Sequence, residues 1–459
     1  MPQWLAVRRQ QTMQHAGVAK YDRDAGEASA APANGGAELA AGEMVLGAQL
    51  LADMNQGVGA EGEVIKIGSM LPLGGGSNAE GIGGKYGLEM AIDEINAIGG
   101  ILGQPLQPVF IDSLEIGSDE LASAVGRLIE HDGVHALICC DSRSSNFAHE
   151  AAADAGIIYV QVNTPALHQQ SLPSDPKRYF GCFIVHEAGL WYDANLPLML
   201  DQFRSAGSWK PTNNKIALVV GSIPYSGIVA QQIKEQAPKY GFEIAFEEVV
   251  PVPTVEWQPV LDKIRSIDPA VIANTHFFVH DLAHFQRQFV ERPTNSLIYI
   301  QFGGLLQSYA DIAQEAGIGV LCSTMIGTPT GAMDTPFVQR LRERIGPHAS
   351  RDPASFTYSE MYHYAIAAAL AGGTGGPHNF TQNRKIAANL KRFAYRSMNG
   401  TMRYHPISQS MVPCPPTVTD HSPRPLCQTY QIKGASGVKQ LVFPVPHAEG
   451  SFELPSWFR

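Results

Sequence analysis

No run of about 18 apolar residues occurs, so the hydropathy pattern offers no transmembrane helix. There is no dense Lys/Arg block either. The 33 basic residues are outnumbered by 43 acidic ones, for a net charge of -10, which argues against a nucleic-acid footprint and favours solubility. C-x-x-C and H-E-x-x-H are both missing, so no metal site and no cofactor is expected. Arg8-Arg9 is not followed by an apolar h-region; Gln10-Gln11 and a polar stretch from His15 to Asp24 come instead. Residues 1–61 are expected to form a largely flexible tail, with a short helix of no assigned purpose over Glu43 to Asn55. Cysteine is scarce, at six residues. Cys139 and Cys140 are adjacent, and neighbours along a chain seldom bridge. Cys182 and Cys322 stand in apolar surroundings, as packing residues do. Cys414 and Cys427 flank a proline-rich loop and form a candidate disulfide, which would suit an oxidising compartment.

What is present is alternation. Val64 to Gly68 is a short β-branched run, read as a buried strand. Leu71-Pro72-Leu73-Gly74-Gly75-Gly76-Ser77 ends it with residues that free the backbone. Leu88, Ala91, Ile92, Ile95 and Ile98 then fall on one helical face, stopped by Gly99-Gly100. Leu106 to Ile111 is a second strand. This βαβ unit predicts a parallel sheet with a right-handed crossover. Helix and strand keep alternating through Ser118–His131, Val134–Cys140, Asn146–Ala155 and Ile157–Val162. A second alternation starts at Lys215: strands over Ile216–Val220, Phe242–Val250, Val271–Thr275, Leu297–Ile300 and Val320–Met325, with helices between them. Further helices are marked by Phe337, Leu341 and Ile345, by Tyr358–Leu370, and by Ile386, Leu390 and Phe393. A hairpin over Gln428–Ile432 and Gln440–Phe443 follows. The fold class is α/β, in two similar lobes.

The order IKIGSMLPLGG, then GGKYGLEM, then AIDEINAIGGILG before the second strand, resembles the opening of type I solute-binding proteins. These serve branched-chain amino acid and amide/urea ABC transporters. The resemblance runs more weakly from about residue 63 to the end, where VPHAEGSFELPSW is similar to family tails. It implies two doubly wound, Rossmann-like lobes joined by three crossing strands. Lobe 1 would hold residues 62–184 and 327–402, and lobe 2 residues 185–326 and 403–459. The crossings would be Tyr179–Val185, Gly327–Gly331 and Thr401–Tyr404. It implies a monomeric, non-enzymatic receptor that captures a small-molecule ligand and delivers it to a membrane permease. The location would be periplasmic or at the cell surface. A cytoplasmic, amide-sensing regulator of the same fold is the alternative, because no export signal is visible.

Ligands of open parallel sheets bind outside the carboxyl ends of strands. Leu73, Ser142, Asn163 and Thr164 fall there in lobe 1, and Tyr225, Phe278 and Phe302 in lobe 2. Ser142 matches a family serine at a helix start, where it can cap the helix or help hold a polar oxygen. Asn163 falls where the family often has threonine, with Thr164 beside it; Asn-Thr-Pro is also an ordinary turn. Tyr225 matches the aromatic that members place on the ligand's apolar side. Phe277, Phe278 and Phe302 read as pocket wall or core. Trp257 reads as a lobe-surface or cleft-edge residue. Amino-acid binders of the family carry an acid in the loop after the fourth lobe-2 strand. Gln301-Phe302-Gly303-Gly304 has none, unless Asp281 supplies it, and a buried ammonium without a counter-charge is costly. That favours an amide, urea-like, carboxylate or aromatic ligand.

Enzyme chemistry finds little footing. Gly81-Ile82-Gly83-Gly84 has Tyr86 where a dinucleotide fingerprint needs its third glycine. Cys140 ends a strand without the flanking glycines of a nucleophile elbow.

Overall fold

A computed structural model of the chain describes residues 19–20, 49–55, 61–74, 78–113, 118–139, 145–161, 171–185, 195–324, 336–346, 351–397, 399–411 and 427–458. The described residues up to 185 and from 336 to 411 form one compact unit; those from 195 to 324 and from 427 to 458 form a second.

In the first unit β1 (Ile65–Leu71) leads to α1 (Asn78–Ala97), then to β2 (Leu106–Asp112), α2 (Ser118–Glu130), β3 (Ala136–Cys139), α3 (Ser145–Ala155), β4 (Ile158–Gln161) and β5 (Cys182–Ile184). The strands pair in parallel in the order β2-β1-β3-β4-β5. Tyr179–Val185 thus does not simply leave the lobe. Its central residues, 182–184, are the fifth strand of the first sheet, because they bond to β4.

The second unit begins with α4 (Asn195–Ser205), which the sequence did not announce. β6 (Lys215–Gly221), α5 (Pro224–Gln236), β7 (Glu243–Val250), α6 (Gln258–Ile267), β8 (Val271–Asn274), α7 (Val279–Glu291), β9 (Leu297–Ile300), α8 (Gln307–Ala313) and β10 (Leu321–Thr324) follow. α8 is short, with 3-10 turns at Phe302–Leu305 and Gln314–Gly317 on either side. β7-β6-β8-β9-β10 are parallel, repeating the strand order of the first unit. The expected hairpin extends this sheet antiparallel beyond β10.

The chain then supplies the first unit with α9 (Pro336–Ile345), α10 (Arg351–Ala371), α11 (Phe380–Arg392), β11 (Phe393–Ser397) and β12 (Gly400–Met402). The hairpin strands are β13 (Gln428–Ile432) and β14 (Lys439–Phe443). Thr401–Tyr404 was expected as a crossing and 403–459 as lobe 2. Instead β12 pairs antiparallel with β11, and residues 403–411 pack with the first unit. The cause is local: Ser410 bridges to Ile184, and the Tyr404 hydroxyl donates to Glu360. The Gly327–Gly331 crossing lies outside the described residues.

Glu94 ties three helices of the first unit together. It pairs with Arg340 of α9 at 2.8 Å and accepts from Tyr362 of α10 at 2.9 Å. Residues 49–54 are helical, within the short helix expected over Glu43 to Asn55, and the segment is packed down rather than a free tail. Leu50 and Leu51 are buried, and Asn55 uses its whole amide. Its Nδ2 donates to Ile98 O at 2.8 Å and Gly100 O at 2.9 Å, and its Oδ1 accepts from Leu102 N at 3.0 Å. These bonds fix the turn after α1, where Gly100 and Leu102 have φ of 69° and 54°. Asn55→Ala is expected to cost about 2 kcal/mol in urea unfolding, since buried partners lose their bonds. An unchanged midpoint would return this segment to the status of a tail.

Candidate ligand-binding site

In the order 2-1-3-4-5 the chain reverses direction across the sheet between the first and third strands, and ligands sit outside their carboxyl ends. In the first unit that point lies between β1 and β3. Leu73 follows β1, is half-buried, and donates its N–H to Asp112 Oδ1 at 3.0 Å. Ser142 follows β3, and Asn163 and Thr164 follow β4; all three lie outside the described residues.

In the second unit the point lies between β6 and β8. The loop after β6 opens α5, whose N-cap residue, Ile223, makes no side-chain cap. The loop after β8 opens α7, whose N-cap Phe278 makes none either. Two helix starts whose N-cap side chains do not cap them can receive a carboxylate or amide oxygen. The same loops carry a chain of rings. Tyr225 meets Phe277 edge-on at 5.5 Å, and Phe277 meets Phe278 edge-on at 5.9 Å. Phe278 is 38% exposed, whereas Phe302 is 7% exposed and stacks beneath Phe277 at 6.3 Å in the core. Phe302 thus backs the wall and Phe278 faces outward. The Tyr225 hydroxyl donates to Gln301 Oε1 at 3.2 Å, which fixes that amide just beyond β9.

Asp281 lies in the first turn of α7, three residues after Phe278. It is 3% exposed and already engaged. Thr254 N donates to its Oδ2 at 2.6 Å, and His276 Nε2 lies 3.1 Å from the same oxygen. His276 Nδ1 accepts from Phe278 N at 3.3 Å, and Nε2 approaches the carboxylate without the alignment of a hydrogen bond. Asp281 and His276 therefore hold the Phe277-Phe278 loop in place. Sequence reading named this loop for its rings and missed its support, since only folding brings Thr254 and Asp281 together. Trp257 is not at a surface: it is fully buried and packs against His276 and Phe285.

Cys427 is a buried, free thiol that receives a hydrogen bond from Asn195 Nδ2 at 3.3 Å. Cys414, its expected partner, lies outside the described residues, so the bridge is no part of the described structure. Among the described residues no cluster of His, Cys, Asp and Glu could hold a metal, and no helix is long and apolar enough to cross a membrane.

Two doubly wound units of one strand order define a two-lobed α/β binding protein. Comparison with known proteins narrows the class. The periplasmic binding protein family matches residues 64–414. A Leu/Ile/Val-binding protein homolog from Brucella abortus is 25% identical over 322 residues, covering 68% of this chain and 77% of its own. The crystal structure of a candidate branched-chain amino acid ABC transporter from Silicibacter pomeroyi is 38% identical. It covers 86% of this chain and 100% of its own, with a TM-score of 0.79. The LivJ substrate-binding protein from Streptococcus pneumoniae, in complex with isoleucine, shares the fold at 18% identity and a TM-score of 0.64, over 83% of this chain and 100% of its own. The chain belongs to the periplasmic binding protein family, in its type I, branched-chain amino acid branch. It is a family of solute receptors.

Proposed function

We propose that the protein captures a small polar solute with the strand-end loops of both units, leaves it chemically unchanged, and delivers it to an ABC permease from an extracytoplasmic location. The family supports the receptor role. The ligand class rests on one observation: the loops Ser222–Ser226, Thr275–Phe278 and Gln301–Leu306 carry no acid, and Asp281 is committed to Thr254 and His276. An α-ammonium buried against them would lack its counter-charge. The ring chain and the two helix starts suit a solute with an apolar or aromatic body and an oxygen acceptor: an amide, a urea-like molecule, a carboxylate or an aromatic acid. This departs from the isoleucine held by the Streptococcus relative.

In this reading the solute docks first on Ser142 and Asn163, with Thr164 and Leu73 beside it, and is then covered by Tyr225 and Phe278. Ligand binding favours the closed state only through tighter contacts in that state. A thermal-shift panel of amino acids, amides, ureas and aromatic acids tests the class, because a bound solute raises the melting temperature by mass action. Shifts are expected from acceptor-bearing solutes that lack an α-ammonium, and not from leucine or isoleucine. With the solute found, Ser142→Ala is expected to weaken binding by about 1 kcal/mol, roughly fivefold, in calorimetry. An unchanged Kd would make Ser142 a helix cap alone.

A further inference from the structure

Helix α10 is buried on every side from residue 353 to 371, yet it carries Glu360 and His363. Three residues apart, they share a helix face. Both meet Tyr404. Its hydroxyl donates to Glu360 Oε2 at 2.8 Å, and its ring stacks on His363 at 5.5 Å and 14°. Phe183 of β5 packs on the same tyrosine at 4.8 Å. Phe393 and Tyr395 of β11 close over His363 at 5.1 and 5.6 Å. Around this cluster the two segments are laced together. Met411 N donates to Ile184 O at 2.9 Å, and Gln409 Nε2 donates to Tyr179 O at 3.1 Å. These segments are also exits. Beyond residue 185 the next described residue, 195, belongs to the second unit, and beyond 411 the next, 427, does too.

The cluster is short of partners. Glu360 Oε1 and both ring nitrogens of His363 have none among the described residues. Burial pushes the Glu360 carboxyl up to about 8, against a downward pull from the Tyr404 hydroxyl. Burial pushes His363 down to about 3, so its ring is neutral at every pH considered below. Titratable groups on the segments around α10 include Glu94 on α1, Cys139 on β3, Cys182 on β5, Lys391 on α11, Tyr395 and Arg396 on β11, and Arg403 and Tyr404 after β12, with Tyr364 on α10 itself. Of these, Tyr404 alone acts on the Glu360 carboxyl.

We propose that Glu360 is a proton-operated latch on the two segments by which the chain leaves the first unit. Protonated, it accepts the Tyr404 hydrogen bond without bringing a charge into the core. Ionised, it is a buried carboxylate on which no cation among the described residues acts, and it gains by opening to water. The closed form binds the proton more tightly than the open form, whose carboxyl returns to its ordinary value of 4.5. Closure is therefore strongest below pH 4.5, weakens as pH rises toward 8, and levels off above it. The latch does not depend on which solute is bound.

Hydrogen exchange on the full chain tests it, comparing wild type with Glu360→Gln between about pH 5.5 and 9 after correction for intrinsic rates. In wild type, opening of peptides covering 182–185 and 401–411 should grow by up to about tenfold per pH unit to pH 8 and then level. In Glu360→Gln it should stay flat, and β8 in the second unit should be flat in both. Equal slopes in the two proteins, no slope in wild type, or the same slope in β8 would overturn the proposal. If Glu360→Gln does not fold, infrared titration of wild type decides: a buried protonated carboxyl band should be present at pH 6 and lost by about pH 9.5. Its absence at pH 6 would overturn the latch.

Discussion

Gly87→Val is expected to unfold the first unit or to destabilise it by at least about 3 kcal/mol, a loss of roughly 10 °C in Tm. A Cβ at Gly87 would stand 2.1 Å from Ala354 O and 2.6 Å from Thr357 Oγ1. Both atoms are on α10, and Thr357 already uses its hydroxyl to reach Gly84 O on α1 at 2.8 Å. Backbone is thus packed on backbone, and no rotamer change relieves the overlap. Gly126 on α2 is the control, since a Cβ there meets nothing within 4 Å. Gly126→Ala should stabilise by about 0.5–1 kcal/mol. Thermal unfolding of both variants checks the pair. If Gly87→Val were as well tolerated as Gly126→Ala, α1 and α10 would not be in this contact.

Asp281→Ala should cost the second unit about 3 kcal/mol even without ligand, because it strands the Thr254 N–H and empties the buried space between Thr254 and His276. Asp281→Asn keeps an acceptor and should lose less than half as much. Urea unfolding without solute separates two roles for this acid. If Asp281→Ala left the urea midpoint unchanged and only weakened solute binding, Asp281 would be the ligand's counter-charge, and an α-amino acid would return as the favoured solute.

The βαβ alternation was legible because strand and helix differ in period and because Gly and Pro mark their ends. Leu297–Ile300 spans the same residues in sequence and structure. Where punctuation is missing, reading failed. β11 follows α11 directly at Arg392–Phe393, with no turn residue between them, so its strand went unseen. α4 has Pro197 near its start and an apolar run around it, which does not resolve into a stripe. Gly87 was visible as part of a glycine-spaced helix start and Tyr358–Leu370 as a helix, but the contact between them, more than 260 residues apart, was not. The strand-end rule placed Tyr225 and Phe278 on loops after β6 and β8 through chain order alone. It could not tell exposed Phe278 from buried Phe302, because core and wall look alike along a sequence. Nor could it see that Asp281 is already occupied. Glu360 and His363 sit in an Ala- and Tyr-rich helix whose burial on all sides has no periodic signature.

Titration calorimetry with the best solute from the thermal-shift panel, followed by mass analysis of the recovered solute, bears most directly on the receptor role. One solute per chain should bind saturably and return intact. A solute returned hydrolysed or otherwise altered, or a stoichiometry far from one, would contradict it.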